Sequence, residues 1–189
     1  MANCSGSPRM PPIGEMPAML ELLAASAEGC AAALKELFAF EADLARTDER
    51  DRLCDALSAD GSRVEILVNN AGIMTEMAAG TRPKDLTLET LKQTFDTNVF
   101  GAFAVIKHFV PLLKKSRAPR IINVSSTLGS LTAMSDRAHP MHGVNFAAYN
   151  ASKTALNALT VALAKDLAAD RISVNSICPG WVKTDMGGE

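Results

Sequence analysis

The stretch VEILVNNAG, residues 64–72, decides how this chain folds. Val64, Ile66, Leu67 and Val68 make an apolar strand core, and the polar pair Asn69-Asn70 and the turn residue Gly72 follow it directly. A strand this apolar is one buried on both faces, as in a parallel sheet. The same order of parts returns in RIINVSS, residues 120–126, and in ISVNSICPG, residues 172–180. Helical patterns lie between the strands. Residues 86–115 carry Leu88, Leu91, Phe95, Val99, Ala102, Val105 and Ile106 along one side, and residues 149–169 form a long Ala/Leu-rich helix. Strands alternating with helices predict an α/β fold, a doubly wound parallel sheet with helices on both faces. In such a sheet the carboxyl ends of the strands form the ligand crevice. Three segments therefore bring amide, hydroxyl and tight-turn groups to one edge, a small-molecule site.

Upstream, residues 1–14 read as loop, residues 20–37 as one broken or two short helices, and FAFEADL, residues 38–44, as a short strand. Thr47 with Asp48 and Glu49 starts a helix that turns Leu53, Cys54 and Leu57 inward. No repeat or long linker divides the chain, so residues 1–189 are expected to form one domain, with 1–26 poorly ordered or atypical. A formal charge of −2 gives no electrostatic reason to expect nucleic acid or an anionic membrane as partner. No apolar run approaches the ~20 residues needed to span a bilayer, and the start has no secretory signal pattern. Cys4, Cys30, Cys54 and Cys178 lie far apart, without metal-ligand spacing, which fits a reducing, cytoplasmic compartment and no metal site. Cys178, in an apolar run, is expected to be a small buried hydrophobe.

Tyr149 and Lys153 stand four apart on a predicted helix and so share a face. An ammonium beside a phenol favours the phenolate and draws its pKa towards neutrality, which suits an acid/base exchanging a proton with a carbonyl oxygen. An exposed tyrosine and a solvated lysine are the alternative; Tyr149 is, however, the only tyrosine in the chain. Ser126, at a strand end, is a second donor for a substrate oxygen, unless it merely satisfies loop backbone. Strand alternation sends its neighbour Ser125 to the opposite face. Asn98 is unfavourable within a helix, so it either makes a polar contact at the site or is exposed.

Asn69-Asn70-Ala71-Gly72, Asn98, Val124-Ser125-Ser126, Tyr149 with Lys153, and Pro179-Gly180-Trp181-Val182-Lys183-Thr184 occur in the order that marks short-chain dehydrogenases/reductases, which the chain resembles over roughly residues 27–189. The run PGWVKTDMGG and the long interval between Ser126 and Tyr149 look most like the NADPH-dependent carbonyl reductase branch. The resemblance implies a Rossmann-like domain that binds NADP, with NAD not excluded, and reduces a carbonyl to an alcohol. It makes Tyr149 the acid/base, Lys153 its pKa modulator and ribose ligand, Ser126 the carbonyl-orienting hydroxyl, and Asn98 the anchor of a proton-relay water. Asp43 and Leu44 match the segment beside the adenine, though Asp43 also reads as a turn residue. Asn70, Ala71 and Gly72 match the ribose-lining segment, and Pro179, Gly180, Val182 and Thr184 the carboxamide clamp. Residues 134–144, with His139, Pro140 and His142, are expected to overhang the substrate as surface loop. Helices 86–115 and 149–169 match those of the family's dimer bundle, so a homodimer is implied; a catalytically silent descendant that keeps only this association is the alternative.

Departures from the pattern are equally specific. No GxxxGxG turn, whose amides would receive a pyrophosphate at a helix N-terminus, is present. The family's next strand, which selects the 2′ group, is missing as well, and the chain stops before the usual substrate-covering helices. The expected fold is thus an incomplete Rossmann-like sheet with weakened cofactor affinity. Its flanking strands pair directly, or leave a loose N-terminal segment or an exposed edge at 64–68.

Overall fold

The computed structural model describes residues 46–59 and 63–180. The expectations for residues 1–44, including Asp43 and Leu44, and those for Val182 and Thr184 lie outside the described residues. The described elements are α1 (Thr47–Ala59), β1 (Ile66–Asn69), α2 (Thr75–Ala79), α3 (Leu88–Phe95), α4 (Ala102–Leu113), β2 (Arg120–Val124), α5 (Leu131–Ser135), α6 (Ala147–Asp166) and β3 (Ser173–Ile177).

The three strands form a parallel sheet in the order β1-β2-β3. Register places Leu67 beside Ile121 and Ile121 beside Val174, a rung of three apolar side chains. These are buried together with Val105, Ile106, Phe109, Leu112 and Leu113 of α4 and Leu53 of α1. Each such side chain taken out of water contributes about 1.5–3 kcal/mol. Among the described residues the helices cover this one face. On the other, Ile66 is 36% and Ile177 45% exposed, so the strands there remain partly open. Among the described residues β1 and β3 are also edge strands, each paired only with β2.

Polar ends follow apolar rungs in space as they do in sequence. Two residues beyond Leu67 and Ile121, Asn69 Nδ2 donates to Asn123 Oδ1 at 2.8 Å, and Asn123 Nδ2 donates to Thr160 Oγ1 of α6 at 2.9 Å. This buried ladder joins two strands to the helix above them, where an unpaired amide would be costly. The expected helix 86–115 is a helical run from Leu88 to Leu113 that passes through a π-helical segment, Asp96–Gly101, between α3 and α4. Thr87 caps its start, accepting from Thr90 N at 3.1 Å. A π-segment widens the helix locally and is frequent at functional sites; here it contains Asn98.

Candidate active site

Tyr149 and Lys153 lie in the first two turns of α6, and Ser126 follows the end of β2. Both helix residues are buried, Tyr149 at 8% and Lys153 at 4% exposure, which excludes the reading of an exposed tyrosine and a solvated lysine. Lys153 Nζ stands 5.6 Å from the centre of the Tyr149 ring and donates to Val124 O at 2.8 Å. The Ser126 hydroxyl accepts from Leu128 N at 3.2 Å and also reaches the phenol, so it serves loop and site together. Its neighbour Ser125 is buried, with its backbone N–H donated to Ile177 O at 2.7 Å.

Electrostatics here differ from the sequence expectation. Burial pushes the Tyr149 phenol above its ordinary value; Ser126 opposes this and the neighbouring Cys178 adds to it. The ammonium was expected to pull the phenol down, but desolvation wins, so the phenol is protonated at neutral pH. Burial also lowers Lys153, to about 8. Between that value and the ordinary lysine range the unfolded chain holds a proton that the folded chain has released. Stability therefore rises with pH from about 8 towards 10.5, by about 3 kcal/mol if Lys153 acted alone. Lys153→Met removes the buried charge and the bond to Val124. It is expected to be about 2 kcal/mol more stable than the parent at pH 7 and to lose that rise. Urea unfolding at pH 7 and pH 9.5 measures both; a variant weaker at pH 7, still gaining with pH, contradicts the assignment.

Asn98 is 1% exposed and works as a clamp. Its Oδ1 accepts from Ile73 N at 2.8 Å, and its Nδ2 donates to Ile73 O and to Ser152 Oγ, each at 3.0 Å. The turn after β1 is thereby fixed to α6 beside the face that carries Tyr149 and Lys153. Within that turn, a Cβ at Gly72 would stand 3.4 Å from both Asn98 Oδ1 and Lys153 Nζ. Gly72 thus edges the crevice beside the ammonium, while Ala71 packs against the hydrophobic core. Pro179 and Gly180 leave β3 at the same edge, Gly180 with the left-handed φ of 78° that a glycine adopts without strain.

Cys178 corrects an expectation. It is exposed, just past the end of β3, and its Sγ accepts from Thr127 N and lies against Thr127 Oγ1, both at 3.3 Å. Partial burial raises its pKa, but the bonds from Thr127 and the Gly180 backbone outweigh that and hold the thiol below its ordinary value. In the loop at 134–144, His142 Nδ1 lies 2.9 Å from Met134 O, and His139 Nδ1 accepts from Met141 N at 3.2 Å.

Sequence reasoning missed three contributors: Asn123, Thr160 and Glu76. Glu76 is 1% exposed and accepts from Ala148 N at 3.0 Å and Tyr149 N at 2.8 Å. Only a fold that brings residues 72 and 73 positions apart into contact reveals its partners.

The residues present fit the nicotinamide-ribose end of a dinucleotide. Lys153 donates one described hydrogen bond, and an ammonium has three donors, so two remain for ribose hydroxyls beside Gly72. The pyrophosphate end has no such support among the described residues.

Similarity to known proteins gives the family. The family model described as short chain dehydrogenase matches residues 16–189, and the chain belongs to that family. It is 33% identical over 151 residues to a 3-oxoacyl-[acyl-carrier-protein] reductase of Synechocystis, covering 80% of this chain and 56% of that protein. To the rhamnolipids biosynthesis 3-oxoacyl-[acyl-carrier-protein] reductase of Pseudomonas aeruginosa it is 34% identical over 182 residues, 91% of this chain and 66% of that one. Among solved structures, NADPH-bound carbonyl reductase from chicken fatty liver superposes with a TM-score of 0.73 at 26% identity, covering 88% of this chain and 69% of that one. Carbonyl reductase Sniffer of D. melanogaster gives 0.69 at 35% identity, covering 79% and 61%. The chain thus spans 56% and 66% of the length of the two curated relatives.

Proposed function

We propose that this chain carries the proton-transfer half of an NADP-dependent carbonyl reductase, converting a ketone to a secondary alcohol. One observation supports this above the rest: a buried, protonated phenol shares the carboxyl edge of a parallel sheet with a serine hydroxyl and a lysine ammonium. When bound, a nicotinamide dinucleotide would supply hydride to the carbonyl carbon. Ser126 then holds the carbonyl oxygen, and Tyr149 gives that oxygen its proton as negative charge develops. A phenol held above its ordinary pKa suits the donor role, since it arrives at the reaction with its proton in place. Lys153 stabilises the phenolate left behind and contributes donors for ribose hydroxyls. Asn98 keeps the turn at Ile73 and Ser152 of α6 in fixed relation.

The names of the relatives favour two substrate classes, 3-oxoacyl thioesters and simple ketones or aldehydes. Incubating the chain with NADPH and a 3-oxoacyl thioester, then with an aryl ketone, and following loss of the reduced nicotinamide tests the reading. Turnover of either supports it, and none at high cofactor concentration overturns it. A second reading is a catalytically silent chain that only self-associates. Phe100 (59% exposed), Phe103 (36%) and Val161 (56%) on the outer helices favour it. The same preparation separates the two, since a silent chain dimerises in sedimentation yet binds no NADPH.

A further inference from the structure

The start of α6 presents a problem of supply. The helix runs 20 residues from Ala147, yet its N-cap, Phe146, provides no side-chain acceptor. First-turn N–H groups have no partner inside a helix and are normally met by a capping side chain or water. Here the partner comes from α2. Both oxygens of the Glu76 carboxylate are engaged, one with Ala148 N and the other with Tyr149 N.

Three features make this more than an ordinary cap. Glu76 is 1% exposed, among the largest fully buried side chains described, and a polar group buried so deeply is costly unless it is hydrogen-bonded. One of its two bonds falls on the backbone of the tyrosine whose phenol faces Ser126. It also belongs to the segment that Asn98 grips three residues earlier, at Ile73. The turn after β1 is therefore tied to α6 at two levels, through Ser152 by Asn98 and through Tyr149 by Glu76. Sliding the helix start along its axis would break both carboxylate bonds at once.

We infer that Glu76 is a positioning residue for Tyr149, setting the phenol against Ser126 by anchoring the first turn of α6 to the turn after β1. This rests on the functional reading above, and the test separates the two. Tyr149 is the only tyrosine in the chain, so the ultraviolet titration of the purified protein reports its phenol without any catalysis. In the parent protein burial holds the phenol above its ordinary value, and its titration is expected there. In Glu76→Gln one acceptor becomes an amide donor facing an N–H, the first turn loosens, and the titration falls back to the ordinary value of about 10. Turnover should drop about tenfold to a hundredfold with KM for NADPH unchanged. Glu76→Asp, which can still reach one N–H, should lie between.

A residue that merely supports the fold would lower the unfolding midpoint but leave the native titration and kcat where they were; that result overturns the inference. So does a Glu76→Gln protein indistinguishable from the parent in every measure. Should Glu76→Gln fail to fold, Glu76→Asp decides: a parent-like titration rejects the positioning role, and a lowered one supports it. Should the parent show no turnover, the carbonyl reductase reading falls, and the tyrosine titration still decides the role of Glu76.

Discussion

Tyr149→Phe is expected to cut kcat/KM about a thousandfold while leaving the fold and cofactor affinity unchanged. The substitution removes one oxygen and its proton. It keeps the buried ring, and the backbone N–H that Glu76 accepts is untouched. Ser126 and Lys153 remain in place, so polarisation of the carbonyl survives, and this is why residual turnover above the solution rate is expected. What disappears is the proton donor. Stability should change by less than about 1 kcal/mol, the net worth of one hydrogen bond. Steady-state kinetics beside urea unfolding measure both; a phenylalanine variant with half the parent activity removes the tyrosine from the chemistry.

Gly129→Val is the second large effect, and it acts through geometry alone. A Cβ at Gly129 would lie 2.8 Å from the Lys153 carbonyl carbon, 2.9 Å from its Cβ and 3.0 Å from its oxygen. Two of these atoms are helix backbone, so no side-chain rotation relieves the clash. The turn is also sewn to α6 at this point: Gly129 O accepts from Thr154 Oγ1 at 3.1 Å and from Asn157 Nδ2 at 3.3 Å. Either the turn or the helix must retreat, which is expected to cost about 3 kcal/mol or more. Retreat separates Ser126, three residues before the glycine, from the Tyr149–Lys153 face. Activity should fall at least about a hundredfold even where the variant remains folded. Thermal unfolding and turnover report the two losses; parent-like values in both would mean that this close approach is not required.

Much of this site was legible in the sequence because its logic is local. Apolar strands ending in Asn69-Asn70, Ser125-Ser126 and Pro179-Gly180 predicted where the crevice lies, and a spacing of four placed Tyr149 and Lys153 on one helix face. Asn98 stood out as an amide inside a helical pattern, although a π-segment there has no periodicity signal strong enough to predict. The charge balance was not legible. Spacing brings an ammonium near a phenol, but only the packing around them shows that desolvation prevails, so that Tyr149 is raised. Glu76 was hidden for another reason. In a short segment beside Thr75 and Met77 it looks like a solvated carboxylate, and its partners lie on a helix that only the tertiary fold brings near. Cys178 was misread because its surroundings in sequence are apolar, whereas it lies just past the end of β3, an edge strand among the described residues.

A proton donor, a hydroxyl and an ammonium converge at the carboxyl end of a parallel sheet, the arrangement that the proposed carbonyl reduction requires. Transfer of deuterium from NADPH labelled at the nicotinamide C4 position to a ketone, read by mass spectrometry of the alcohol, tests it most directly. The expected result is a singly labelled alcohol from the parent chain, and from Tyr149→Phe only a trace. Unlabelled ketone recovered from the parent, or equal labelling by the phenylalanine variant, would contradict it.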